Sequence, residues 1–342
     1  MKYTSAHKRE VRGTRIHETA QERLSKQENE EYAVELLVRS VKTEFLVPTV
    51  KNFVETEHVK KLKDRVKLWV NAGCPLQIVG PTGCGKTTLA MEVAKDLGRP
   101  TVWINGDEQM TTTDLIGGYS EMEAESVRDK YIHNVMKARD RTKFSWVDNP
   151  LTLACKYGYT LVYNEFARSK PEANNVLLSV LEEKILELPT MFGDNRYIKV
   201  HPDFAIILTS NSIEYAGIHK PQDALLDRMI NIYMDYYDYG TELKIAQAHT
   251  QLPFGEAEKV VQVIRTIREK MPEPSKPSTR AEIMICQGLK ALGRNRSKED
   301  IEQIYMDVLA TKIGDQKELL KKSDLIQTVI KEAYGDSQNE NT

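Results

Sequence analysis

Cysteine is scarce in this chain. Cys74, Cys84, Cys155 and Cys286 are its whole complement in 342 residues, with no Cys-x-x-Cys pair and no histidine at metal spacing. That excludes a disulfide framework and a zinc site of ordinary spacing, and it leads to the expectation of reduced thiols in a cytoplasmic protein. The seven histidines form no His-x-x-x-His pair and no cluster, so they read as structural. An excess of one charge is lacking too: 48 Lys and Arg stand against 50 Asp and Glu, a formal net charge of −2. No global basic field marks a nucleic-acid or anionic-membrane partner. No apolar run approaches the roughly 20 residues of a membrane span, and no N-terminal segment resembles a signal peptide. Membrane insertion is not expected. Internal repeats and sustained heptads are missing as well.

What the chain does have is one glycine-rich stretch, Gly80-Pro81-Thr82-Gly83-Cys84-Gly85-Lys86-Thr87, which reads G-x-x-x-x-G-K-T. This is the phosphate-binding loop pattern. Its glycines let the backbone wrap an anion and present successive N–H donors to it. Lys86 would reach the β- and γ-phosphates of a nucleotide, and the Thr87 hydroxyl would ligate Mg²⁺. The apolar run Leu76–Val79 before the loop and the helical pattern Lys86–Leu97 after it supply the strand and the helix N-terminus that such a site needs. The expected nucleotide contacts are Gly80, Pro81, Thr82, Gly83, Cys84, Gly85, Lys86, Thr87 and Thr88. Cys84 reads as a side chain at a tolerant position rather than as a reactive thiol.

The remaining pattern divides the chain. Residues 1–45 are a polar arm, expected to be partly disordered. Residues 46–238 alternate strand-like runs (Leu76–Val79, Thr101–Ile104, Tyr159–Tyr163, Phe204–Leu208, Met229–Tyr233) with helical segments, among them Val59–Val70 and Pro171–Leu186. That alternation predicts an α/β domain with a five-stranded parallel sheet and helices on both faces. Residues 239–335 show only helical periods, interrupted by the Pro-rich stretch Met271–Ser278, and predict a small all-helical lid domain. Residues 336–342 are a polar tail. The aromatic run at Tyr233, Tyr236, Tyr237 and Tyr239 is expected to pack between the two domains.

A phosphate loop binds nucleotide; hydrolysis also needs a water held in line. The strand Leu161-Val162-Tyr163 ends in Asn164-Glu165. Two acidic residues are expected there, one for the Mg²⁺ water shell and one as the base. Asn164 is neutral, and Glu165 is left as the candidate general base. Asn211, at the tip of another strand, is placed to hold the water or the γ-phosphate, although Asn is also a common turn former. Arg228 would stabilise transition-state charge from a neighbouring subunit, and Arg280 would reach the γ-phosphate from the helical domain. A surface role for either arginine stays open, and Arg168 is a lesser candidate still.

The ordered set Gly80–Thr87, Asn164-Glu165, Asn211, Arg228 and Arg280 resembles the AAA+ ATPase family, a P-loop NTPase fold. The segments Glu165–Pro171 and Ser278–Ala281 look like its MoxR-type branch. More narrowly, Trp146–Asn149, Lys170–Glu183, Thr209–Asn211 with Glu214–Gly217, and Asp223–Met229 resemble the gas vesicle ATPases of that branch. The likeness covers roughly Val70–Tyr236. It implies ATP and Mg²⁺ as cofactors, with Thr87 and Asn164 on the metal side. It further implies Glu165 as catalytic base, Asn211 as sensor 1, Arg228 as arginine finger and Arg280 as sensor 2. A homo-oligomeric ring, a hexamer, follows from the same resemblance, with gas vesicle structural or accessory proteins as clients. Leu115–Trp146 would be an insert, and Leu188–Val200 a hairpin before sensor 1. The family pattern has Asp where this chain has Asn164. The expectation is an ATP hydrolase, slowed by Asn164, that remodels or assembles gas vesicle shell proteins. A metalloenzyme activase and a nucleotide-gated assembly module with little hydrolysis are the alternatives.

Overall fold

Apolar runs become strands here, and the segments with a helical period become helices. The structure, a computed structural model, describes residues 48, 50, 52–130, 136–189, 196–211, 219, 222–272, 275–293, 296–309 and 316–335, with 120–130, 136–145 and 316–321 described by backbone alone. The expected arm (1–45), the polar tail (336–342) and the Glu214–Gly217 run lie outside the described residues.

In chain order, α1 (Glu57–Asn71) leads into β1 (Leu76–Gly80), α2 (Lys86–Asp96) and β2 (Thr101–Asn105). A short α3 (Thr112–Ile116), a long hairpin of β3 (Gly117–Lys130) and β4 (Met136–Asp148), and α4 (Pro150–Tyr157) follow. Next come β5 (Thr160–Asn164), a 3-10 turn at Phe166–Arg168, α5 (Pro171–Asn174), α6 (Val176–Glu182) and a small hairpin of β6 (Ile185–Glu187) and β7 (Tyr197–Lys199). β8 (Ala205–Asn211), α7 (Asp223–Leu226) and β9 (Ile230–Tyr233) close the α/β part. The helical part is α8 (Tyr239–Thr250), α9 (Phe254–Lys270), α10 (Thr279–Leu292), α11 (Lys298–Leu309) and α12 (Gln316–Gly335).

Five strands form one parallel sheet in the order β2-β5-β8-β1-β9. A parallel sheet needs cover on both faces, which is why β8 is buried from Ala205 to Ser210 and β5 from Thr160 to Tyr163. The chain leaves β1 and crosses two strands to reach the far edge at β2, so a crevice opens beyond the C-terminal tips of β1 and β8. Register then brings distant residues level: Gly80 pairs with Asn211, and Asn105 with Asn164. Every strand-tip candidate faces that crevice end of the sheet.

Apolar cores hold the unit Val47–Thr342 together, two of them clear among the described residues. One packs β1, β8 and β9 under α1 and α2, with Leu76, Ile78, Leu89 and Ile207 fully buried. The other packs the helical part around Val260, Ile264, Ile285, Leu289 and Tyr305.

The helix expected over Pro171–Leu186 is not continuous. It breaks at Asn175 and ends at Glu182, because Lys184 takes a left-handed conformation (φ 58°) and turns the chain into β6. Leu186 is buried in that hairpin, not on a helix face. The hairpin expected over Leu188–Val200 therefore starts earlier, at Ile185. The insert expected over Leu115–Trp146 is mainly the β3–β4 ribbon. Its ladder starts where Gly117 (φ 125°) passes Val147 O, 2.1 Å from where a Cβ would stand.

Candidate nucleotide-binding site

The phosphate loop is shaped by what its glycines omit. A Cβ on Gly80 would lie 2.0 Å from the Met234 carbonyl oxygen, so the β1 tip passes flush against the chain leaving β9. Gly83 (φ 77°) and Gly85 (φ 101°) take left-handed conformations that a side chain disfavours, and Gly85 starts α2 from there. Lys86 is buried at the first turn of α2. Its Nζ donates to Gly80 O (2.9 Å), Pro81 O (2.7 Å) and Asn211 Oδ1 (2.9 Å). Burial pushes the Lys86 amine below its ordinary value, the Arg280 charge adds to that, and Glu165 opposes it. An arriving anion would relieve this cost. The Cys84 thiol is fully buried against Met234 O and pushed up by that burial, which is not the setting of a reactive thiol; the same close packing limits what size of side chain fits there.

The strand tips supply the second wall. Thr87 donates its hydroxyl to Asn164 Oδ1 (2.6 Å), and Thr209 donates to the same oxygen (2.8 Å). Asn164 Nδ2 donates to Asn105 Oδ1 (2.7 Å), so the amide of Asn164 is used at both ends. Thr209 Oγ1 also accepts the backbone N–H of Glu165 (3.1 Å). Glu165 sits at φ 49°, a conformation rare for a residue with a side chain, and its carbonyl oxygen lies 2.2 Å from a Cβ placed on Gly106. Its Oε2 pairs with Arg168 (3.1 Å). Arg168, the lesser candidate in the sequence, is thus a direct partner of Glu165.

The helical part closes the site. A Cβ on Gly83 would meet the Ser278 side chain at 2.7 Å, and one on Gly85 the Tyr237 hydroxyl at 2.9 Å. Behind them Arg268 donates to Glu242 Oε1 (2.8 Å), Glu282 Oε1 (2.8 Å) and Pro277 O (3.0 Å), with its guanidinium 4.0 Å from the Tyr236 ring centroid. Arg265 ties Glu242 Oε2 (2.8 Å) to Tyr237 O (3.1 Å). Tyr236 and Tyr237 therefore pack between the two parts of the chain, whereas Tyr233, expected there as well, is exposed at the end of β9, and Tyr239 packs within the helical part. The cleft there is about 490 Å³, the size of a small-molecule site, and Thr82–Thr88, Glu165, Asn211 and Arg280 all line it. Phe53, Ile245 and Ile283 add apolar lining, and His249 also lines the cavity although the histidines read as structural.

Arg228 is not at this cavity. Its Nε donates to Glu182 Oε2 (2.7 Å), its second terminal nitrogen bonds the same oxygen, and its first bonds Ala224 O (2.5 Å). The fold thus brings together Gly80–Thr88, Asn164, Glu165, Asn211 and Arg280 from separate segments and leaves Arg228 apart. Sequence reading missed Thr209 and Asn105, which meet Asn164 only through the strand order; no local spacing signals them.

The donor set fits Mg²⁺ that arrives with phosphates. Among the described residues no group of three His, Cys, Asp or Glu is placed to hold a metal. Thr87 Oγ1 and Asn164 Oδ1 offer hard oxygens beside the phosphate loop instead, as suits an ion that keeps much of its water.

A family model described as AAA domain (dynein-related subfamily) matches residues 75–229. Gas vesicle ATPase GvpN of Haloferax mediterranei is 44% identical over 344 residues, covering 97% of this chain and 98% of that protein. The chain belongs to the gas vesicle ATPase GvpN family, within the AAA+ ATPases. GvpN1 of Halobacterium salinarum is 49% identical over 288 residues, 84% of this chain and 82% of that one. GvpN of Ancylobacter aquaticus is 44% identical over 263 residues, 76% and 74% of the two chains. The GvpN likeness therefore runs well beyond the AAA core into the helical part. The five-stranded sheet and its P-loop are the AAA+ architecture that the motifs implied.

Proposed function

We propose that this chain hydrolyses ATP at a site completed by a second copy in a ring, a hexamer, and uses the cycle to assemble or remodel gas vesicle proteins in the cytoplasm. The observation that carries the reading is the Lys86 Nζ contact with both the loop carbonyls and Asn211 Oδ1. It sets the loop lysine and the tip of β8 on one point of a cavity that Glu165 and Arg280 also line. An incoming γ-phosphate would take over the Lys86 charge. Asn211 would hold the attacking water or a phosphate oxygen. Glu165 Oε2 is tied to Arg168, leaving Oε1 to polarise the water. Bound Mg²⁺ neutralises phosphate charge, and Thr87 and Asn164 are the residues that would hold it. Arg280 follows phosphate loss into the helical part through α10, and Arg228 acts on the neighbouring copy. The gas vesicle client is carried over from the names of the relatives.

Binding of a fluorescent ATP analogue and phosphate release test this reading in wild type, Lys86→Ala and Glu165→Gln. Lys86→Ala is expected to lose binding; Glu165→Gln keeps binding and loses most turnover. A wild type that binds no nucleotide would end it. The second reading, a nucleotide-gated assembly module, draws on the neutral Asn164 and the Glu165–Arg168 pair, which both work against fast hydrolysis. Equal, very low rates for wild type and Glu165→Gln would favour it. No nucleic-acid partner is proposed, so added DNA should leave the rate unchanged.

A further inference from the structure

We infer that Asn105 is a positioning residue that fixes which end of the Asn164 amide meets Thr87, and so lets an amide stand in for the carboxylate beside Mg²⁺. The inference rests on the nucleotide-site reading above and names a device inside that site.

A carboxylate at position 164 would present an oxygen to Thr87 whichever way it turned. An amide presents oxygen one way and N–H₂ the other. Orientation is therefore a problem that arises only because residue 164 is Asn. With Oδ1 toward Thr87, the amide takes up the hydroxyl proton (2.6 Å) and leaves the Thr87 oxygen lone pairs for a cation. Turned over, Nδ2 would occupy a lone pair of that oxygen and aim N–H at a positive ion. The two orientations differ in sign at the cation.

Two contacts choose between them. Thr209 donates its hydroxyl to Asn164 Oδ1 (2.8 Å) while its oxygen accepts the Glu165 N–H (3.1 Å). On the far side Asn105 Oδ1 accepts from Asn164 Nδ2 (2.7 Å). Asn105 stands at the exposed tip of β2, level with Asn164 in the parallel register, and its side chain contributes nothing to the buried core. Its acceptor is aimed at the one group on Asn164 that must be kept from the cation.

The test is Mg²⁺ dependence of nucleotide binding, read with a fluorescent ATP analogue in EDTA and in excess Mg²⁺. The proteins are wild type, Asn105→Leu, Asn105→Asp, Asn164→Asp and the double variant Asn105→Leu/Asn164→Asp. Asn105→Leu is expected to bind as wild type does in EDTA and to lose roughly tenfold or more of the Mg²⁺-dependent gain, the usual cost of removing a residue that orients a metal ligand. Asn105→Asp keeps the acceptor and should keep the gain. In the Asn164→Asp background Asn105→Leu should have little effect, because a carboxylate needs no orienting. A purely structural role would weaken binding in EDTA and in both backgrounds alike. An Asn105→Leu variant with the wild-type Mg²⁺ gain, or one equally impaired in the Asn164→Asp background, overturns the inference. Wild type without nucleotide binding in either buffer would overturn the site reading itself, and this inference with it.

Discussion

At the scale of the residue, the phosphate loop works by exclusion of atoms. Gly80 cannot carry a Cβ because the backbone oxygen of Met234 already occupies that space, and no rotamer change can clear a backbone atom. Gly80→Ala should therefore cost about 3 kcal/mol or more and remove nucleotide binding, measurable by thermal melts with and without ATP. Gly73 (φ 73°) is the control: nothing stands near its missing Cβ, so Gly73→Ala should cost only ~1 kcal/mol of left-handed strain. Asn164 sets a different prediction. An amide there removes a negative charge beside a dication, so Asn164→Asp should tighten Mg²⁺ binding and raise the rate of phosphate release. Unchanged values on both counts would show that the missing charge does not limit the site. The loop was legible because its residue types and spacing carry the chemistry, while Asn211 and Arg280, which line the same cavity as Glu165, were singled out by the family resemblance and not by their position alone. Asn105 and Thr209 were not, since only the order β2-β5-β8 sets them beside Asn164. His249 was hidden for the same reason: it reaches the cavity from α8, far along the chain.

At the scale of the element, the join between α8, α9 and α10 is the part with consequences for stability. Burial beside Glu242 pushes the Glu282 carboxyl from its ordinary value of 4.5 up to about 8, while Arg268 pulls the other way. Its Oε2 is buried without a hydrogen-bond partner among the described residues. The folded chain thus holds a proton on Glu282 at pH values where the unfolded chain has released it. The contribution is fully present below pH 4.5 and is lost as pH rises toward about 8. Glu282→Gln, a neutral mimic of the protonated form, should flatten the fall in Tm between about pH 4.5 and about pH 8. A variant with the same slope as wild type would contradict this. Glu242→Gln should instead destabilise by several kcal/mol, roughly 3, because Arg265 and Arg268 lose their shared carboxylate. The five sheet strands were readable from apolar runs bounded by turn residues, and the lid helices from their period. The end of α6 was not, because Ile185 continues the helical spacing while Lys184 turns the chain away. Nor was the β3–β4 ribbon, whose ladder stands outside the main sheet and follows no sustained alternating apolar pattern in the sequence.

At the scale of the whole molecule, the cavity of one chain is lined by Glu165, the loop lysine, Asn211 and Arg280, while Arg228 is tied to Glu182 outside it. On the proposed reading Arg228 serves catalysis in a neighbouring copy. Glu165 and Arg228 would then belong to different subunits of one working site, and damage to either should be complementable. The decisive measurement is steady-state phosphate release against protein concentration for wild type, Arg228→Ala, Glu165→Gln and an equimolar mixture of the two variants. The rate per subunit of wild type should fall on dilution, each variant alone should be nearly inactive, and the mixture should recover activity by pairing an intact Glu165 with an intact Arg228. Full activity of Arg228→Ala at every dilution, or a mixture no more active than its components, would contradict a site shared between copies.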